Sequence, residues 1–378
     1  MSTTVTPRSA PPFRADIVGS FLRPPSLLAA REKWKRNELS SEELRAAEDQ
    51  AIRDVVKMQE EVGLEVATDG EFRRELWHMD FLAKFANVTV VDAGIKIRFH
   101  SEEGDIDFAP PGIRVTGKLA RPAEGIFVKD FAFLKSVTTK AMPKQTIPSP
   151  SNMHFRGGRA AIDSEAYPDM EQFYDDLARV YREEIAGFAQ AGCRYLQLDE
   201  VNLAYLCDPK IAAEVRSTIG EDPATLPRTY AKLINAAIAS RPKEMTVCIH
   251  LCRGNAYSTW MAEGGYDPIA EVLFNEIDVD GFFLEYDTPR AGDFRPLRFL
   301  PKGKIVVLGL VTTKKGALET KDELKRRIDE AAKFAPLEQL ALSPQCGFAS
   351  GAAGNKLSVD EEIAKLRLIV DVAHEVWG

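Results

Sequence analysis

The sequence predicts an α/β fold, a closed (βα)8 barrel of the TIM type with a β-hairpin-like insertion after the second strand. Three observations carry this. Eight short apolar runs, at 15–19, 65–69, 145–148, 195–199, 245–251, 281–285, 304–310 and 340–343, have the length and composition of buried strands. Amphipathic helical segments fall between or after most of them, and strands so separated pair in parallel, because a parallel crossover needs a helix-sized connection. The residue types suited to chemistry stand where these runs end, the place at which such barrels gather their active sites.

Taken in order, residues 1–12 are polar and Pro-rich and read as a flexible arm, with one barrel domain over 13–378. Ser40-Ser41-Glu42-Glu43 supplies a cap and first-turn acids for a helix over 41–62. The stretch from about 87 to 135, rich in Val, Gly, Pro and alternating polar residues, breaks the rhythm and reads as the insertion. Met170, Phe173, Tyr174, Leu177, Val180, Tyr181, Ile185 and Phe188 recur at steps of three and four, so they share one helical face. A closing helix is expected over 358–376. No second domain and no repeat beyond the βα rhythm is evident.

The chain has 378 residues, a length that such barrels reach as a single unit. With 45% hydrophobic and 28% charged residues it has the balance of a soluble protein with a large core. A formal charge of -8 and the lack of a basic patch argue against nucleic acid as a partner. Five cysteines do not make a disulfide framework, the N-terminus has no apolar signal region, and no apolar run reaches membrane-spanning length. The expected location is the reducing cytoplasm, where free thiols persist and bind metals.

The chemistry lies in three fragments. His250-Leu251-Cys252 ends the fifth strand, Glu285 ends the sixth and Cys346 follows the eighth. An imidazole, two thiols and a carboxylate suit Zn²⁺. His250 and Cys252 are two apart on a strand, so their side chains point the same way. Cys248 shares that face but lies deeper and reads as core. Four protein ligands would also suit a closed structural site. Against that, these span residues 250 to 346 rather than a short Cys-x-x-Cys pair, and a carboxylate among thiolates is the ligand an incoming thiol would displace.

Asp199 and Glu71, after the fourth and second strands, are placed to take a substrate ammonium. Val18-Gly19-Ser20 ends the first strand, where backbone N–H groups and the Ser20 hydroxyl can take a carboxylate. Together these suit the head of an amino acid. Ser149, His154, Arg156, Arg73, Arg74 and Trp77 lie in the loops after the second and third strands and are candidates for holding a second substrate.

These residues carry a resemblance. Asp16-Ile-Val-Gly-Ser-Phe-Leu-Arg-Pro24, Thr68-Asp-Gly-Glu71, Leu196-Gln-Leu-Asp-Glu200, His250-Leu-Cys252, Glu285 and Ser343-Pro-Gln-Cys-Gly347 are similar to the C-terminal catalytic barrel of cobalamin-independent methionine synthase, above all its short single-barrel members. The resemblance implies a zinc-bound homocysteine thiolate attacking a methyl group, with His250, Cys252, Glu285 and Cys346 on zinc. It places Asp199 and Glu71 at the ammonium, and Val18 and Ser20 near the carboxylate. Two departures stand out. The N-terminal barrel of the full-length enzyme is absent, and Leu310-Val-Thr-Thr-Lys-Lys315 has no counterpart to the family's His after the seventh strand. The methyl donor therefore stays open between methyltetrahydrofolate and a methylated corrinoid protein. Alternatives are alkylation of another thiol, such as epoxide addition to coenzyme M, or a barrel that binds zinc or an amino acid without turnover.

Overall fold

Six of the eight expected strands lie side by side in parallel, in the order Leu340–Pro344, Ile305–Val311, Gly281–Glu285, Thr246–Leu251, Tyr195–Glu200, Gln145–Pro148. The structure is a computed structural model and describes residues 8–378 except 93, 95 and 110. Every residue of these strands except Thr246 is buried. Burial on both faces is why they read as continuous apolar runs rather than as alternation.

The first two expected strands are shorter in the structure. Over 15–19 only Ala15 pairs, by a parallel bridge to Leu342, and over 65–69 only Val66–Ala67 pair, with Met142–Pro143. Side chains take the ladder's backbone groups instead. Asp16 accepts from the N–H groups of Phe13 (3.0 Å) and Ile17 (2.8 Å). The Gln59 amide accepts from Thr68 N (2.9 Å) and donates to Thr68 O (2.9 Å). These buried backbone groups are thus satisfied without a strand partner. A further parallel bridge, Ser20 to Gly70, joins the first segment to the second. Through these segments the two edges of the six-stranded sheet are linked, in line with an eight-stranded barrel.

Helices cover the sheet. Ser41–Glu61 opens with a reciprocal capping box between Ser40 and Glu43, and Val359–Trp377 repeats the device with Ser358 and Glu361. Each cap satisfies two orphan N–H groups, and its Ser is worth about 1 kcal/mol. Met170–Gln190 buries Phe173, Leu177, Val180, Tyr181, Ile185 and Phe188, while Met170 and Tyr174 are half-buried at the edge of that face. Truncating a fully buried residue such as Leu177 to Ala would cost about 2–5 kcal/mol.

The insertion is a nested hairpin. Ala86–Asp92 pairs antiparallel with Pro111–Ala120, and Ile97–Phe99 pairs with Ile106–Phe108. It ends earlier than expected, because Val128–Val137 is a helix that packs beside Met170–Gln190 as a crossover element. The hairpin is tied back to the barrel by paired backbone bonds between His100 and Trp260. Of the arm expected over 1–12, residues 1–7 lie outside the described residues, whereas Pro11 and Pro12 are buried. No helix among the described residues is long and apolar enough to cross a membrane.

Candidate metal and substrate site

Strand register decides the geometry. His250 stands opposite Asp199 on one neighbouring strand and Phe283 on the other. Cys252 follows at the strand's end, and Cys346 arrives from the turn after Leu340–Pro344, which is pinned by Gln345 N–H to Val311 O (2.8 Å). The ligand atoms of His250, Cys252 and Cys346 all lie within 4.8 Å of one another, with the two Sγ atoms 3.2 Å apart. Ligand atoms around a tetrahedral zinc, with bonds of about 2.0–2.3 Å, stand roughly 3.5–4 Å apart, so the spread fits. His250 is 3% exposed and neither ring nitrogen has a hydrogen-bond partner. An imidazole so placed lacks a partner that a cation would supply.

The electrostatics agree. The neighbouring Cys346 thiol, and then burial, push the Cys252 thiol well up. Burial lowers the His250 imidazole, but Cys252, Asp199 and Glu285 outweigh it and raise the imidazole overall. The Asp199 and Glu285 carboxylates thus both act on the imidazole, and Glu285 acts on the Cys252 thiol as well. Cys248, two residues deeper, is fully buried and its thiol is raised by burial, as a core cysteine's is.

Glu285 is not drawn into this tight group. It is fully buried, its Oε2 accepts from Arg253 N (2.9 Å), and its Oε1 is paired with Arg290. Burial would raise the carboxyl, but Arg290, Lys314 and Arg253 hold it down at about 2. A buried carboxylate needs a positive partner, and here a guanidinium provides it. The three-residue turn Pro289–Ala291 brings Arg290 back to Glu285.

A cavity of about 360 Å³ opens above this group, lined by Val18, Ser20, Glu71, Asp199, His250, Cys252 and Cys346 among others. Glu71 lies in a tight turn at φ 60°, sparsely populated for a residue with a side chain. Its Oε1 accepts from Thr146 Oγ1 (2.9 Å) and lies 3.3 Å from Arg74, while its buried Oε2 has no partner. Asp199 accepts from Gln197 Nε2 (2.7 Å). Burial, and then the Glu71 carboxylate, push the Asp199 carboxyl up to about 7. Gly19, at φ 151°, is required: a Cβ there would stand 2.7 Å from Thr146 Cγ2 and 3.6 Å from Glu71 Oε1. The Ser20 hydroxyl accepts only a long bond from Ala349 N (3.3 Å), leaving its proton free to donate.

Of the residues expected at a second substrate, Trp77 and Arg156 line the cavity. The others are held elsewhere. Arg73 is committed to Glu48, Asp49 and Asp130, and His154 is enclosed by Tyr174 and Tyr230. Arg74 braces Glu71 and Thr146 from below, and Ser149 is fully buried under Asp199 O. Sequence reading missed four features. Phe99, Ile106 and Phe108 of the hairpin form an apolar wall of the cavity, and His78 lies in its lining. Arg23 clamps four loop carbonyls, those of Glu71, Arg74, Ala349 and Gly351. Asn255 ties Gly347 O to Lys314 in the segment after the seventh strand. The Arg-Pro after the first strand was the one local signal for Arg23.

The family profile "Cobalamin-independent synthase, Catalytic domain" matches residues 13–375. The chain belongs to the cobalamin-independent methionine synthase family. The uncharacterized protein YxjH of Bacillus subtilis is 46% identical over 370 residues, covering 97% of this chain and 95% of that one. A crystal structure from Listeria monocytogenes that carries the name of a vitamin-B12-independent methionine synthase superposes with a TM-score of 0.78 at 38% identity, covering 98% of this chain and 100% of the other. A B12-independent methionine synthase from Shewanella, solved in complex with selenomethionine, has the same fold at 20% identity and a TM-score of 0.71, covering 96% and 97%. The chain is thus a methionine synthase-like catalytic domain, from a family of methyltransferases.

Proposed function

We propose that the chain is a zinc-dependent methyltransferase that converts homocysteine to methionine, with methyltetrahydrofolate or a methylated corrinoid protein as donor. The observation that carries this reading is that His250, Cys252 and Cys346 share one cavity with Asp199 and Glu71. His250, Cys252 and Cys346 would hold the ion, and Glu285 on the adjacent strand is the candidate fourth ligand if its carboxylate leaves Arg290. Bound there, Zn²⁺ supplies the charge that keeps a ligating thiol deprotonated at neutral pH.

The chain's own residues do the rest. Asp199 and the unpartnered Oε2 of Glu71 receive the amino acid's ammonium, which favours the ionised form of an otherwise raised carboxyl. Ser20 donates its hydroxyl proton to the substrate carboxylate, and the Val18–Ser20 backbone turns to allow it. The amino-acid head is thereby fixed at two points, which aims the sulfur at a methyl group arriving from the cavity mouth. The apolar hairpin wall keeps water from competing there. The Shewanella relative's complex with selenomethionine, the selenium form of the expected product, supports the acceptor.

The test is direct. Protein purified without chelators should contain zinc and form methionine from homocysteine with one of the two donors, lose that activity on chelation, and regain it with zinc. Metal-loaded protein that makes no methionine with either donor would sink the reading.

A further inference from the structure

Most polar side chains that line the cavity are already engaged. Asn255 donates to Gly347 O and accepts from Lys314 and Asn355. Glu75 is exposed and paired with Lys35 (2.7 Å). Asp199, Glu71 and Ser20 belong to the amino-acid end. His78 is different. It is 8% exposed, it lines the cavity, and neither of its ring nitrogens has a hydrogen-bond partner.

The chain has five histidines, and the others are accounted for. His250 belongs to the metal-ligand group. His100 pairs with Asp105 on the hairpin, and His154 with tyrosines below the loops. His374 is exposed on the closing helix. His78 is therefore the one imidazole besides His250 that faces the cavity. Its backbone carbonyl starts the turn Met79–Leu82, and its ring lies 4.6 Å from that of Trp77, tilted by 41°. Leu76, Trp77, Phe99, Ile106 and Phe108 give the same cavity an apolar wall. Burial, and then the nearby Arg156 charge, hold the imidazole well below its ordinary range. It is thus neutral at physiological pH, with one N–H to give and one lone pair.

A buried imidazole with no partner is destabilising, and an apolar ring of similar size would serve the fold better. A ligand in the cavity removes that penalty. We propose that His78 donates a hydrogen bond to the leaving atom of the methyl donor, when that atom is a nitrogen. This rests on the methyltransferase reading above. In the reaction the bond from carbon to the leaving nitrogen breaks, with its electron pair staying on nitrogen. The carbon–sulfur bond forms, and the proton given up by the thiol is, in the net balance, the one the nitrogen gains. A fixed N–H aimed at the nitrogen stabilises the charge that develops there. A donor whose leaving atom is cobalt needs no such bond.

The experiment uses the whole protein and two variants, His78→Phe and His78→Gln, with thermal melting as the folding control. Tetrahydrofolate, the demethylated product that carries the leaving nitrogen, is titrated by calorimetry into metal-free protein. Loss of the hydrogen bond in His78→Phe should weaken binding about ten-fold, with partial recovery in His78→Gln, whose amide can donate. Where both donors turn over, the ratio of kcat with 5-methyltetrahydrofolate to kcat with methylcobalamin should fall at least about ten-fold in His78→Phe, as for loss of a developing-charge donor. An unchanged ratio, equal affinity of wild type and His78→Phe, or no tetrahydrofolate binding by wild type would each overturn the assignment. Any of these with zinc and homocysteine still bound would leave the proposed function standing, whereas a wild type that binds neither zinc nor homocysteine would remove that function first.

Discussion

At the metal-ligand end of the cavity the polar side chains come from the tips of strands, while the wall at the mouth is made of loops and the inserted hairpin. Asp199 and His250 are fixed by register with their neighbours, Cys252 directly follows the strand that carries His250, and each is buried. Ile106 and Phe108 stand at the rim, 40% and 38% exposed, on a two-stranded ribbon held by its own partner strand, the His100–Trp260 bonds and exposed ion pairs. A group carried by a sheet is placed to within tenths of an ångström, as acid–base and metal chemistry needs. A ribbon tolerates change, and that suits the part of a family's site that must fit different donors. On the function proposed above, the difference would give the chemistry to the strands and the choice of donor to the hairpin.

The sharpest way to break this division is to remove a strand-end ligand. Cys346→Ser should lose zinc and turnover together while the melting temperature of the metal-free protein stays close to wild type. Structural zinc sites bind with on the order of 10–16 kcal/mol, so losing one ligand should lower affinity at least about a hundred-fold. Elemental analysis decides it, and a full complement of zinc in the variant would remove Cys346 from the ligand set. Next in size is Asp199→Asn. Hydrogen bonds to a charged group are worth about 1.5–3 kcal/mol, so KM for homocysteine should rise roughly 10–100-fold. KM for a simple alkyl thiol should hardly move. Equal losses for both would show that Asp199 acts on the cluster and not on the ammonium.

The same division sets what was legible in the sequence. Strands buried on both faces announce themselves as apolar runs, and the observed 195–200, 246–251 and 281–285 lie within a residue of expectation at each end. The meeting of Cys252 with Cys346, 94 residues apart, followed from both standing at strand ends. The shortening at 15–19 and 65–69 was hidden, because it depends on whether Asp16 and Gln59 turn inward to bond the backbone. The Glu285–Arg290 pair was hidden for a similar reason: a single short turn decides where the guanidinium lands. Loop residues carry no periodicity, so nothing told Trp77 and Arg156, which line the cavity, from Arg73 and His154, which do not. His78 is adjacent to Trp77 and escaped notice because direction, not type, makes it matter.

The smallest expected effects separate the two ends by what supports them. In the segment that follows Ser20, the backbone N–H of Leu22 is held by Glu362 of the closing helix at 2.9 Å. Burial, outweighing that bond, raises the Glu362 carboxyl to about 8 from 4.5. Between those values the folded protein keeps a proton that the unfolded chain releases. Stability therefore falls as pH rises through this window, by up to about 1.4 kcal/mol per unit, and levels off above it. Glu362→Gln keeps the acceptor and lacks the titration, so its stability advantage should grow from pH 5 to pH 8 in chemical denaturation, and parallel curves would refute the account. The hairpin rests instead on exposed pairs, Lys315–Glu102 (2.6 Å) and Lys356–Glu103 (2.5 Å). Such pairs are weak and are screened at about 1 M salt, where the Debye length is about 3 Å. High salt should shift KM for the methyl donor by no more than about three-fold and leave the Glu362→Gln advantage intact, since a buried carboxyl is screened far less. If salt instead erased that advantage while donor KM stayed fixed, the buried end would be the solvent-coupled one, and the division between sheet-borne chemistry and ribbon-borne selectivity would have to be reversed.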